Sequence, residues 1–163
     1  MSLKALSGAG WLRDIADNFA SLAPIESSVG VGNLRVARFD FDTANVALRA
    51  IGAHGVGVIL PAHAIIVGGV YDVNTGFTSA SGNTGTIAIS VEGANDIVTA
   101  TAVSNAIFGT VGRKPIAPKA NTPESTSVKT TQARQITCTV AVAALTAGRL
   151  TGYLFFVEGI ASA

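Results

Sequence analysis

The clearest alternation of apolar and polar positions lies over residues 135–143, where Ile136, Cys138, Val140 and Val142 share one phase and Thr137, Thr139, Ala141 and Ala143 the other. A period of two predicts a half-buried strand. Leu145-Thr146-Ala147-Gly148 interrupts the pattern, with Gly148 free to adopt left-handed backbone, and residues 149–158 resume it with Leu150, Leu154 and Phe156 opposite Thr151, Tyr153, Phe155 and Val157. The two runs predict a long antiparallel hairpin. Around Leu154-Phe155-Phe156-Val157 both faces are apolar, which places this arm in the middle of a sandwich or against another protein surface.

The earlier chain reads in the same way. Over 34–41, Leu34 and Val36 fall in one phase and Phe39 and Phe41 in the other, as a bulge near Ala37-Arg38 would produce. Asp40, Asp42 and Asn45 then suit a turn capped by short polar side chains; the string lacks the central glycine and distant glutamate of a calcium loop. A strand pattern within 46–61 stops at Pro61, which forces Leu60 to be extended. Residues 64–78 predict a long strand, with Ile65, Val67, Tyr71 and Val73 in phase and a bend at Gly68-Gly69. After a polar turn over 79–85, residues 86–91 put Ile87, Ile89 and Val91 inside, which predicts a second hairpin. Residues 97–103 suit either a strand or a short helix. Residues 104–127 form the longest irregular stretch, with Pro115, Pro118 and Pro123 among basic and hydroxyl side chains, and strand signal resumes at Val128. The one helical pattern lies at 11–23, where Leu12, Ile15, Phe19 and Leu22 oppose Asp14, Asp17 and Asn18 ahead of Pro24; a glycine-rich linker over 27–33 follows. The expected architecture is all-β, an antiparallel β-sandwich of jelly-roll-like type, with one short N-terminal helix or arm. Residues 1–33 form the arm and linker, and 34–163 a single sandwich domain.

Composition sharpens this picture. A chain of 163 residues suits one domain, and charged residues make up 13% of it, against an average of about a quarter. Low charge with 48% hydrophobic residues suggests sheets whose outer surface is partly covered by a partner, the plainer alternative being a bland exposed face. Net charge is +1, yet no Lys or Arg occurs over 50–112, whereas Arg113, Lys114, Lys119, Lys129, Arg134 and Arg149 crowd the last third. That clustering predicts a basic side, which no nucleic-acid motif accompanies. The single cysteine, Cys138, excludes an intrachain disulfide and falls in the inward phase of its strand, as a small core residue does.

Candidate chemistry is sparse. His54 and His63 have no further ligand types between them, so no metal site is expected and they read as loop and strand-edge residues. Asp40 and Asp42 are the only close carboxylate pair that suggests itself, and no nucleophile motif accompanies either histidine. The expectation is therefore a non-enzymatic protein without a cofactor. No signal-peptide pattern and no apolar run of membrane-spanning length interrupts the chain, so a soluble, reducing compartment is expected.

One family resemblance rests on strand and turn features. The run Ile59-Leu60-Pro61-Ala62-His63-Ala64-Ile65-Ile66, continuing through Val70-Tyr71-Asp72-Val73 and Phe77-Thr78-Ser79, then Thr86-Ile87-Ala88-Ile89, and finally Leu145-Thr146-Ala147-Gly148-Arg149-Leu150 before Tyr153, resembles small virion proteins of tailed bacteriophages, the head decoration or cement proteins. The likeness covers residues 34–160. It implies a structural role on the outer surface of a capsid, a major capsid protein as partner, and a homo-oligomer, with a trimer favoured. Neither nucleic acid nor membrane is implied as a partner. Trp11, Ile15 and Phe19 of the N-terminal segment and Arg113, Lys114 and Lys119 of the basic loop are the expected capsid or subunit contacts. The competing expectation is a receptor- or carbohydrate-binding sandwich at the virion surface or tail, with Tyr71 and Tyr153 as its aromatic platform.

Overall fold

A computed structural model of the chain describes residues 34–118 and 127–159. The expected helix over 11–23, with Trp11, Ile15 and Phe19, lies outside them, as does Lys119. Nine strands are described: β1 (Leu34–Asp42), β2 (Gly52–Leu60), β3 (Ala64–Ser79), β4 (Thr86–Ser90), β5 (Val98–Ala102), β6 (Gly112–Ile116), β7 (Val128–Lys129), β8 (Arg134–Ala141) and β9 (Leu145–Glu158). They form two antiparallel sheets, one in the order β1-β9-β3-β6 with β7 also on β3, the other in the order β2-β8-β4-β5. The expectation of an all-β antiparallel sandwich is met.

The pairing is nested. β1 pairs with β9, β2 with β8, β3 with β6 and β4 with β5, so the chain runs as one long two-stranded ribbon whose tip is the β4–β5 turn and whose coiling produces two sheets. Asp96 holds that tip. Its buried carboxylate accepts backbone N–H bonds from Val91 at 2.9 Å, Glu92 at 2.9 Å and Gly93 at 2.8 Å, closing the hairpin between β4 and β5.

Nesting corrects both expected hairpins. β8 and β9 are consecutive but lie in different sheets, and so do β3 and β4. Between β8 and β9 the chain reverses at Val142, which has φ 69° and is 67% exposed, rather than at Gly148, which lies inside β9. Alternation identified the strands but carries no information about which strand each one meets. The apolar second face of β9 did foretell its place: β9 lies between β1 and β3.

Two phase assignments also change. β1 has no bulge, since its register with β9 is regular throughout; Ala37, Phe39 and Phe41 are buried, and Leu34 and Val36 point outward. In β3 the first of several register shifts against β9 lies between Ile66 and Gly68; Ile66, Tyr71 and Val73 are buried while Val67 is 51% exposed. The stretch over 104–127, expected to be irregular, contains a helical turn at Ala106–Gly109 and the strand β6, with Pro115 placed where an edge strand tolerates it.

A single apolar core fills the space between the sheets. Phe41 stacks on Phe77 with centroids 5.9 Å apart, Phe77 meets Phe108 edge-on at 6.1 Å, and Phe108 stacks on Tyr71 at 5.7 Å. Gly152 and Gly148 leave the room that the Phe39 and Phe77 rings occupy, which a Cβ at either position would invade. Cys138 is fully buried and its thiol is pushed up to about 12 by that burial, so it is an inert packing group.

Candidate interaction surfaces

The outward face of the β1-β9-β3-β6 sheet is graded from polar to apolar. Cross-strand partners share a face, so the register spells out its rows. At one end Asp42 opposes Arg149, and the next row runs Asp40, Thr151, Asp72, Arg113. The third row is Arg38, Tyr153, Val70, Pro115. Beyond it Val36 opposes Phe155, and Leu34 opposes Val157, which meets Ile65. Leu34 and Val36 are 44% and 57% exposed, and Tyr153, Phe155, Val157, Ile65 and Val70 are half-buried. An exposed cluster of this kind marks an interaction surface more often than isolated apolar side chains do.

The charges on this face are internally matched. Arg38 pairs with Asp40 at 2.9 Å, Arg149 with Asp42 at 3.6 Å and Arg113 with Asp72 at 3.8 Å. The Thr151 hydroxyl donates to Asp40 Oδ1 at 2.7 Å. These pairs leave the face close to neutral.

A second feature opens between the edge strands β5 and β6. Here a cleft of about 390 Å³ is lined by Ile97, Val98, Thr101, Ile107, Pro115 and Ile116, with Tyr71 and Lys114 among its walls. Tyr71 donates to the Ile107 carbonyl at 3.3 Å, and burial raises its phenol to about 12. Lys114 donates to Thr110 Oγ1 at 3.2 Å.

On the other sheet, the Glu92 carboxylate receives two hydrogen bonds from Arg134, at 2.9 and 3.0 Å, and two from Thr131, from its hydroxyl at 2.7 Å and its backbone N–H at 3.1 Å. The Arg134 and Thr131 bonds outweigh partial burial and hold Glu92 at about 2.

Among the described residues the expected basic side is not assembled on one face. Arg113 lies on the outward face against Asp72, Lys114 has the opposite phase and lines the cleft, Arg134 serves the second sheet, and Arg149 sits near Asp42. Adjacent residues in a strand point to opposite faces, and reading the segment as a loop concealed this. Tyr71 is 1% exposed and cannot act as a binding platform, whereas Tyr153 stands on the outward face. His54 sits on edge strand β2, with Nε2 2.7 Å from the Ala50 carbonyl, and His63 occupies the β2–β3 turn at φ 62°. Among the described residues no group of three or more His, Cys, Asp or Glu side chains is placed to hold a metal, and no helix is long and apolar enough to cross a membrane.

No protein-family model matches the sequence, and no curated protein matches it. Solved structures do match. A chain of the cyanophage Pam1 capsid asymmetric unit superposes with a TM-score of 0.58 at 18% identity, covering 85% of this chain and 96% of that one. A chain of the capsid of Ralstonia phage GP4 gives a TM-score of 0.53 at 19% identity, over 86% and 92%. A chain of the acidic stable capsid structure of Helicobacter pylori bacteriophage KHP30 gives 0.52 at 12% identity, over 76% and 86%. At these identities the likeness is one of fold: this chain shares its two-sheet architecture with chains from three phage capsid structures.

Proposed function

We propose that the protein is a structural virion component, a decoration or cement protein that binds the outer surface of a phage head and stabilises it. The observation that carries this reading is the fold likeness to chains from three phage capsids, which extends over 76–86% of this chain and 86–96% of the others. The graded, charge-matched outward face supports it, because such a surface suits burial against a protein. The partner is the major capsid protein, and the protein acts as a homo-oligomer, with a trimer favoured. Oligomeric attachment multiplies modest contacts, and many copies together raise the work needed to rupture the shell. The nested two-sheet ribbon is read here as a jelly roll, two Greek keys closed on one core. The role is non-enzymatic.

The proposed contacts are Trp11, Ile15 and Phe19 in the N-terminal segment and Arg113, Lys114 and Lys119 around β6. Removing residues 1–23 is expected to leave a folded β domain with weakened attachment, read by circular dichroism and by co-sedimentation with particles; loss of the fold would place the segment in the core instead. The decisive measurement is the molar ratio of this chain to the major coat protein in gradient-purified particles, by quantitative mass spectrometry. A ratio near one, or another large symmetric fraction, is the expected outcome. A few copies per particle would indicate a vertex or tail component, and absence would overturn the proposal.

A further inference from the structure

Five of the described strands lie at sheet edges; β7 is only two residues long, and three of the other four are guarded against pairing with another chain. β1 carries Arg35 and Arg38; β2 has a register shift between Gly55 and Ile59 and Gly57 at φ 76°; β6 carries Arg113, Lys114 and Pro115. β5 is less guarded, its one irregularity being a register shift between the Ile87–Thr101 and Ile89–Val98 pairs. Its sequence is Val-Thr-Ala-Thr-Ala, uncharged and free of proline, and it is the last strand of its sheet. The Thr99 carbonyl receives the Thr101 hydroxyl at 2.9 Å, but a carbonyl oxygen has a second lone pair to offer.

The cleft described above lies beside this edge. It provides an apolar slot for one side chain, and among the described residues no carboxylate lines it, while the Lys114 ammonium on its wall donates to the neutral Thr110 hydroxyl. Backbone donors and acceptors, an apolar pocket and a cation with no carboxylate partner among the described residues thus converge on one line.

We infer that β5 accepts an extended acidic segment of a shell protein as an added strand, with an apolar side chain in the cleft and a carboxylate on Lys114. Main-chain pairing supplies attachment, and the pocket with Lys114 sets register and selects acidic sequences. The shell as source rests on the proposed function.

Hydrogen exchange of the full chain, free in solution and on purified particles, tests this. Slowing of the amides of residues 98–102 by about tenfold or more on particles is expected. Lys114→Glu should lower particle occupancy roughly tenfold and Lys114→Arg should retain it, with both variants showing unchanged circular dichroism. Occupied particles in which these amides exchange as in the free chain would overturn the inference and leave the proposed function standing. Equal protection in the free oligomer would overturn it in favour of a second copy at β5. Absence of the chain from particles would overturn both.

Discussion

At the scale of single residues, the core depends on aromatic side chains slotted against glycines, and the polar network on one carboxylate. Phe156 on β9 is 6% exposed and packs in the common core, so Phe156→Ala should destabilise the domain by about 3–5 kcal/mol, measured by chemical denaturation. Glu92 behaves differently because its contribution depends on pH. Its folded pKa, about 2, lies below its ordinary value of 4.5, so it contributes stability fully above the ordinary value, and this is lost as pH falls through about 2. The Tm advantage of the native protein over Glu92→Gln should therefore be largest near neutrality and shrink between about pH 5 and pH 2. A constant difference across that range would show that Glu92 acts by packing alone. Period-two patterning made Ile136, Cys138, Val140, Ile87 and Ile89 legible as core; it misplaced Val142, because a strand pattern cannot announce the residue at which the chain leaves its sheet.

At the scale of elements, the strands were legible and their partners were not. β1, β3, β4, β8 and β9 each stand where alternation placed them, give or take their ends. β6 was hidden by its proline and its charges, which are edge-strand features that resemble loop composition. The apolar outward face was half visible: Phe155 and Val157 signalled it, but Leu34 and Val36 were absorbed into a supposed bulge. A further joint was invisible, because Thr130 lies far in sequence from the turn it secures. Its buried hydroxyl accepts from the Ala64 N–H at 2.8 Å and donates to the Pro61 carbonyl at 2.8 Å, while its own carbonyl accepts from His63 N–H at 2.9 Å. This ties the segment after β7 to the β2–β3 turn. Thr130→Val keeps the shape but strips side-chain bonds from the buried Ala64 N–H and the half-buried Pro61 carbonyl. It should cost about 1–3 kcal/mol or more in denaturation experiments, and a neutral result would mean that solvent reaches the turn.

At the scale of the whole molecule, nesting makes nearly every pairing long-range, and β9, late in the chain, is central to its sheet. Loop closure must precede most of the favourable contacts, so refolding should be slow, in the range of about milliseconds to seconds by stopped-flow fluorescence. Microsecond refolding would mean that local structure dominates the barrier. The same topology has a mechanical meaning. Leu34 and Val157 are paired neighbours, so the chain enters and leaves the ribbon side by side. Tension applied through those two ends would peel β1 from β9 like a zipper, one bond after another, whereas a load spread across the broad faces is resisted by many strand pairs in shear. A domain wound in this way bears strain well when it is gripped by its surfaces and poorly when it is pulled by its ends.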